Sequence, residues 1–331
     1  MLHDRMPSFE FYQPARLDDA FPLLERFGKD GWKLAGGNDS LSWFKEGTKR
    51  PRAVIDLGGI EGLSGVRETA DGLEIGAMTT LSAIEKDPLI RQRFRFLSEA
   101  AGAVASPQIR NSGTLGGNVA QHARCWYYRF GQPCFRAGGH ECFADYPESI
   151  NREHALFDAG RCVAVNPSDI APVLAVLGAQ MVIQSAKGQR IVGSDAFFVG
   201  PHTDITSLNC LKPEEILTAV RLPRSWMGAS FYFEKVADRN VWDFPLVNVA
   251  AALIVGDGQI RRAAIACGAV AATPKRLAAA EQAIIGLPLG EDAAKRAAEA
   301  AVQGANPLTY NGYKIPLVAN LVMRAVREAR V

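Results

Sequence analysis

Apolar positions follow helical and strand periods in turn along this chain. Leu17, Ala20, Phe21, Leu24 and Phe27 recur at helical spacing, and the run Trp32-Lys33-Leu34-Ala35 reads as a short strand leading into Gly36-Gly37. Asn38, Asp39 and Ser40 are residue types that cap helix N-termini, and Leu41 and Phe44 begin the next helical face. Residues 52–57, with Ala53-Val54-Ile55 at their centre, predict a buried strand ending at Gly58-Gly59. The first 65 residues thus predict a small parallel β-α-β unit. Its glycine turn sits at a helix N-terminus, where backbone amides can receive a diphosphate.

From residue 66 the order changes. A strand is expected over 72–78, a helix beginning at 81–86, and a second helix over 94–104 that stops before Pro107. Residues 121–162 show little periodicity, and a loop of that length in a compact domain is usually functional or pinned by something. A helix over 170–177 and a hairpin of 179–184 with 189–192, turning about Lys187-Gly188, follow. The last third predicts strands over 230–236, 250–255 and 260–267, with a turn at Gly256-Asp257-Gly258, then helices over 275–285, 292–303 and 315–327. The fold class is α+β: a small β-α-β unit (1–65), a larger mixed α/β subdomain (66–225) with a cysteine-rich insert (121–165), and a C-terminal three-stranded sheet with helices (226–331).

Composition narrows the function classes. The 331 residues are 48% hydrophobic and 22% charged, ordinary for a globular chain with a sizeable core. A formal charge of +2 without a basic run argues against nucleic acid as a partner. No run of about 18 apolar residues predicts a membrane span, and Met1-Leu2-His3-Asp4-Arg5-Met6-Pro7 lacks the apolar core of a secretory signal. The expected compartment is the cytoplasm, or the periplasm if a signal-bearing partner carries the chain across. Of six cysteines, Cys210 and Cys267 stand alone and are expected to be small buried apolar residues, while Cys125, Cys134, Cys142 and Cys162 cluster.

Neither G-x-G-x-x-G nor G-x-x-x-x-G-K-[ST] occurs, so any nucleotide is held by another architecture. Gly36-Gly37 alone is also compatible with an ordinary βα turn. The second double glycine, Gly116-Gly117, is flanked by Thr114 and Asn118, whose side chains suit a diphosphate or a ribityl chain; two such turns could clamp the ends of one long cofactor. The cysteine spacing C-x8-C-x7-C-x19-C contains none of the close pairs of zinc ribbons, whereas iron–sulfur clusters accept ligands from separate loop segments. Structural zinc and four unrelated thiols remain open. Gly131, Pro133, Gly138, Gly139 and Pro147 bend the insert around a centre, and Trp126, Tyr127, Tyr128 and Phe130 are candidates for an apolar shield. His122, His140 and His154 flank it and are expected to be solvated loop residues, with donors to a cluster as the alternative.

Together, Lys33-Leu34-Ala35-Gly36-Gly37-Asn38-Asp39-Ser40-Leu41 and Ile109-Arg110-Asn111-Ser112-Gly113-Thr114-Leu115-Gly116-Gly117-Asn118-Val119 resemble the two FAD-binding signatures of the flavin subunit of xanthine-oxidase-family molybdenum hydroxylases. Pro167-Ser168-Asp169 with Pro172 and Leu174, Gly268-Ala269-Val270 leading to Thr273-Pro274-Lys275-Arg276, and the closing segment from Tyr313-Lys314-Ile315 to Arg324-Ala325 extend the resemblance over nearly the whole chain. The four-cysteine insert is similar to that of a minority branch, the flavin subunits of periplasmic aldehyde oxidoreductase and 4-hydroxybenzoyl-CoA reductase, which carry a 4Fe–4S cluster; the surroundings of Cys125 and Cys162 look closer to the former.

The resemblance implies a two-subdomain FAD-binding fold and a set of site residues. Lys33, Leu34, Ala35, Gly36, Gly37, Asn38, Asp39 and Ser40 would hold the pyrophosphate. Ile109, Gly113, Thr114, Gly116, Gly117 and Asn118 would lie along the ribityl and flavin end, Asp169 would accept from ribityl hydroxyls, and Lys235 would place a positive charge near the flavin. Asn38 departs from the threonine common at that place. Cys125, Cys134, Cys142 and Cys162 would ligate the cluster. The implied activity is that of an oxidoreductase: a FAD and 4Fe–4S electron-transfer subunit of a heterotrimer, acting on aldehydes or aromatic heterocycles. Its partners would be a 2Fe–2S small subunit and a molybdenum-cofactor large subunit, and no residue of this chain would touch the organic substrate. A stand-alone flavin oxidoreductase with structural zinc and a non-catalytic assembly subunit are the alternatives.

Overall fold

The computed structural model describes residues 6–329; Met1–Arg5, most of the segment read for an export signal, lie outside the described residues. The chain opens with β1 (Glu10–Tyr12), α1 (Leu17–Phe27), β2 (Gly31–Leu34), α2 (Ser40–Lys45) and β3 (Ala53–Asp56). The three strands pair in parallel in the order β1-β3-β2. β1 adds an edge strand beyond the predicted unit. Helix α1 turns Ala20, Phe21, Leu24 and Phe27 onto Ala53 and Ile55 of β3, as its stripe predicts, and leaves Pro22 on the exposed side. Trp43 and Phe44 of α2 are fully buried on the opposite face, against Val54.

The middle of the chain contributes β4 (Val66–Thr69), β5 (Gly72–Gly76), then α3 (Leu81–Lys86), α4 (Pro88–Arg93), α5 (Arg95–Gly102), α6 (Pro107–Ser112), α7 (Leu115–Val119) and α8 (Trp126–Arg129). It continues with α9 (Ala171–Leu177), β6 (Gln180–Ser185), β7 (Gly188–Gly193), α10 (Ser194–Phe197) and β8 (Ile216–Pro223). The strands form one antiparallel sheet ordered β4-β5-β8-β6-β7, so the predicted hairpin β6–β7 lies at its edge and β8, outside the predicted elements, at its centre. The predicted helix over 94–104 is preceded by α4, with Asp87 capping the N–H of Ile90 at 3.0 Å and Pro88 in the first turn. The glycine stretch predicted as a turn contains α6 and α7 instead.

The last part holds β9 (Ser230–Val236), β10 (Val247–Gly256), β11 (Gln259–Gly268), β12 (Lys275–Arg276), α11 (Ala278–Ile284), α12 (Glu291–Ala301) and α13 (Lys314–Arg327). Asp257 and Gly258 both have positive φ (53° and 74°), the backbone a two-residue hairpin turn requires. The predicted three-stranded sheet gains β12, giving the order β12-β11-β10-β9. Residues 275–276 are drawn out of the predicted helix because Arg276 forks onto Glu281 at 2.8 Å and 2.9 Å and donates to the Ala175 carbonyl. Both faces of this sheet are buried. Ala250 and Ala252 of β10 and Ala264 and Ala266 of β11 face the core shared with α9, while Val249, Ala251, Leu253, Ile265 and Cys267 face α11–α13. Small residues on the first face let α9, apolar on every side, lie close to the sheet. Cys267 is buried as predicted; Cys210 is only half-buried and takes a contact from Arg190 at 3.7 Å. Among the described residues no helix is long and apolar enough to cross a membrane.

Lys314, the first residue of α13, is fully buried and donates to the carbonyls of His154 (3.1 Å) and Ala269 (2.8 Å), fastening the last helix to the insert. Burial lowers its pKa from 10.5 to about 7. Between those values the unfolded chain binds a proton that the folded chain has released, so this lysine makes stability rise with pH across that window. The stability of Lys314→Met relative to wild type is therefore expected to decline from about pH 7 towards about pH 10, by up to about 1.4 kcal/mol per pH unit. Urea denaturation of both proteins across that range measures it, and a flat or rising difference would contradict neutral burial.

Candidate cofactor site

A cavity of about 520 Å³ runs between the parallel unit, the middle sheet and the loop before β10. Lys33, Ala35, Gly36, Gly37, Asn38, Asp39, Ser40, Ile109, Gly113, Thr114, Gly116, Gly117, Asn118 and Asp169 all border it. β2 delivers the first glycine turn to its edge. Among the described residues no acceptor engages the backbone N–H groups of Gly36, Gly37, Asn38, Asp39 and Ser40, so five successive donors are left for something in the cavity. Gly36 is required for a packing reason: a Cβ there would collide with the backbone carbonyl of Ser112. Gly37 has φ +77°, a conformation that favours glycine. The Asn38 side chain faces the second segment, donating to Ile109 O at 3.3 Å and Ser112 Oγ at 3.1 Å. Asp39 does not cap α2; its carboxylate accepts from Trp43 Nε1 at 2.9 Å and pairs with Arg124.

The second glycine segment is not an open turn. Thr114 caps α7 through a bond from the N–H of Gly117 at 3.1 Å, Gly116 donates to Ala77 O at 2.7 Å, and Asn118 to Thr114 O at 2.9 Å. The N–H groups of Gly113, Leu115, Gly116, Gly117 and Asn118 are thus all engaged, so the segment forms a wall and not a second run of free donors. Small size is what it contributes: a Cβ on Gly116 would lie 2.9 Å from Ala77 Cβ, and one on Gly117 would lie 3.4 Å from Ala35 Cβ. Leu115 and Val119 point the other way, into the core. Asn118 Oδ1 accepts from Ser168 Oγ at 2.6 Å.

The side chains of three expected residues, Leu34, Lys33 and Lys235, are occupied within the protein. Leu34 does not border the cavity; it packs in the cluster of Trp43 and Phe44, and its carbonyl accepts from Leu57 at 2.8 Å. The Lys33 ammonium donates to the carbonyls of Lys212, Pro213 and Glu215 at 2.9–3.0 Å, and burial lowers its pKa to about 8; it ties the first unit to the segment before β8. Lys235 is also outside the lining. Its ammonium donates to Asp169 Oδ2 at 2.7 Å and to the Ala103 and Asp243 carbonyls, while Asn248 donates to Asp169 Oδ1 at 2.9 Å. Asp169 therefore borders the cavity with both oxygens engaged, leaving only second lone pairs free. Several lining residues were not expected: Trp32, which stacks on His122 (5.6 Å, 27°), Ala105 at φ +41°, Asn209, and Trp242 and Phe244 at the mouth. Only Trp242-Asp243-Phe244, aromatics beside a polar turn, carries a signal readable beforehand.

Gln121, His122 and Arg124 of the insert border this cavity, but its four thiols do not. Cys125 packs with Cys162, Ala123 and Ala164 on one side and belongs to the Trp43 cluster, with Cys134, on the other. It lies within electrostatic reach of Cys142 and Cys162, and burial raises its pKa to about 12. All four cysteines are free thiols, and among the described residues no three His, Cys, Asp or Glu side chains converge closely enough to hold a metal ion. Expectations for the flanking residues need correction. His122 and His154 are shielded, not solvated, and burial lowers their pKa values to about 3 and about 4; His154 Nε2 is 3.3 Å from Cys125 Sγ, and only His140 is exposed. The aromatic run is no single shield, because the turn of α8 splits its faces: Tyr128 is buried on Trp43, whereas Trp126 and Phe130 stack on each other at the surface. Arg136, 4% exposed, has none of its three guanidinium nitrogens hydrogen-bonded. The four thiols are of the ligand type an iron–sulfur group takes, though not drawn together here among the described residues, and beside them Arg136 is a buried cation lacking an anion.

Residues 7–225 match the model of the FAD binding domain in molybdopterin dehydrogenase, and residues 232–329 that of the CO dehydrogenase flavoprotein C-terminal domain. The chain is 32% identical over 303 residues to the aldehyde oxidoreductase FAD-binding subunit PaoB of Escherichia coli, covering 90% of this chain and 91% of that one. It is 27% identical over 328 residues to the carbon monoxide dehydrogenase medium chain of Hydrogenophaga pseudoflava, covering 98% and 97%. A solved chain of carbon monoxide dehydrogenase from that organism superimposes with a TM-score of 0.78 at 27% identity, 98% of each chain being covered. The chain belongs to the family of FAD-binding flavoprotein subunits of molybdenum-containing dehydrogenases, and is a component of an oxidoreductase.

Proposed function

We propose that this chain is the FAD- and 4Fe–4S-carrying electron-transfer subunit of a heterotrimeric molybdenum hydroxylase, joined to a 2Fe–2S small subunit and a molybdenum-cofactor large subunit. An aldehyde, the substrate class named for the E. coli relative, is the organic substrate we favour, oxidised in the large subunit. The observation that carries the reading is the run of five unengaged amides from Gly36 to Ser40, facing a cavity whose other wall is the small-residue helix at Gly116-Gly117. The three sheets support a division at about residues 65 and 225, with the site between the first two parts.

Bound FAD would supply the exchange of electrons one or two at a time, and the protein's share is binding, orientation and electrostatic setting. The amides of 36–40 would hold the pyrophosphate by charge-assisted bonds. Thr114 and Asn118, fixed by their own bonds, would shape the wall along the ribityl chain, and Asp169 would accept from a hydroxyl through its remaining lone pairs. Lys235 would act through Asp169, keeping its carboxylate in place. Cys125, Cys134, Cys142 and Cys162 would hold the cluster, which would supply a one-electron relay. Their single insert and the unpaired Arg136 support the cluster reading over four independent thiols.

Two outcomes test this. Gly36→Ala, which presses a Cβ onto the Ser112 carbonyl, is expected to weaken FAD binding at least tenfold, about 1.4 kcal/mol. Gly200→Ala, whose Cβ meets nothing within 4 Å, is expected to leave it unchanged. Acid-released flavin per chain measures both, and full flavin in Gly36→Ala would sink the placement. Cys134→Ser is expected to lose iron and acid-labile sulfide while retaining flavin. Unchanged iron would remove Cys134 from the ligand set, and zinc without sulfide in the wild-type protein would replace the cluster by a structural site.

A further inference from the structure

Arg136 lies in the insert, two residues after Cys134, in the turn Phe135–Ala137. It is 4% exposed, and Nε, Nη1 and Nη2 are each buried without a hydrogen-bond partner. An arginine cannot shed this cost by deprotonating, so a buried guanidinium with five idle donors calls for an anion. Among the described residues none provides one. Asp204 is within electrostatic reach, but its Oδ1 accepts from Thr206 N and Oγ1, both at 2.7 Å, and no bond runs to Arg136. The other group that feels the guanidinium is His122, which cannot compensate a cation.

The surroundings identify which anion would. His122 and Asp204 immediately precede Ala123 and Ile205; Ala123 shares one buried cluster with Cys162, and Ile205 packs against that cluster as Cys125 does. Arg136 does not border the flavin cavity, so the cofactor pyrophosphate is not its partner. We infer that Arg136 is the charge-compensating residue of the four-cysteine insert, its guanidinium offsetting the net negative charge of a tetrathiolate-bound iron–sulfur group and holding that group's reduction potential up. This rests on the cluster reading proposed above. The reasoning is electrostatic: reduction adds negative charge, a fixed buried cation favours the more negative state, and net charge with hydrogen bonding to sulfur sets such potentials.

The test uses the assembled holoenzyme as wild type, Arg136→Gln and Arg136→Lys, with iron, sulfide and FAD measured before anaerobic redox titration followed by electron paramagnetic resonance. Arg136→Gln is expected to keep its flavin and show a lower cluster potential. The one-electron reduction equilibrium should shift at least tenfold, about 59 mV. Loss of iron from Arg136→Gln but not from Arg136→Lys supports the same role, and Arg136→Lys is expected to stay near the wild-type potential. An unmoved potential with full iron in Arg136→Gln would overturn the role of Arg136 alone, as would Arg136→Lys failing as completely as Arg136→Gln. Wild-type protein without iron and sulfide would instead defeat the cluster reading itself.

Discussion

The approach of one backbone segment to another at Gly36 and Ser112 is the contact on which the cofactor site depends. It leaves no room for a side chain, and Asn38 spans the same gap with bonds to Ile109 and Ser112. A parallel three-stranded unit and a five-stranded antiparallel sheet are thereby joined along a narrow seam. The cavity is what that seam leaves open. If the segments stood farther apart, the amides of 36–40 would face solvent, where water satisfies them and a bound pyrophosphate gains little by comparison.

The two glycine segments do opposite work at this seam. The first is held through the Asn38 and Asp39 side chains and its carbonyls, so its backbone donors stay unspent. The second has spent its donors on Ala77 and Thr114 and contributes rigidity and thinness. Exchanging these roles would fail. Free amides on α7 would require dissolving the Thr114 cap, an interaction typically worth about 1 kcal/mol, while engaged amides on the first turn would leave the cavity without donors.

Much of this was legible in the sequence, for reasons that differ by element. The stripe of α1, the Asp257-Gly258 hairpin and the Gly36-Gly37 turn are local signals, and the structure follows each of them, whereas Gly116-Gly117 lies in a helix. The partners of the Lys33 and Lys235 ammonium groups are fixed by tertiary context, which no local signature encodes: carbonyls 179–182 residues away for Lys33, and Asp169 for Lys235. β8 lacked an assigned signal although it is central, since an apolar run reveals burial and not which strands flank it. Trp242 and Phe244 reach the cavity from a third segment of the chain, a proximity that no local pattern encodes.

The insert is joined to the amide turn by ion pairs and packing. Arg124, next to Cys125, pairs with Asp39 in the turn; Arg129 pairs with Glu46 just after α2; and Thr48 donates to Arg129 O at 3.0 Å. Exposed ion pairs are worth about 0–1 kcal/mol each, but these are partly buried and grip both ends of a six-residue helix. Trp43 then packs between them, against Tyr128 and with Arg129 over its ring at 4.7 Å. The thiol set and the cavity lining share no residue, yet these contacts tie the insert to α2 and, through Asp39, to the turn whose donors face the cavity.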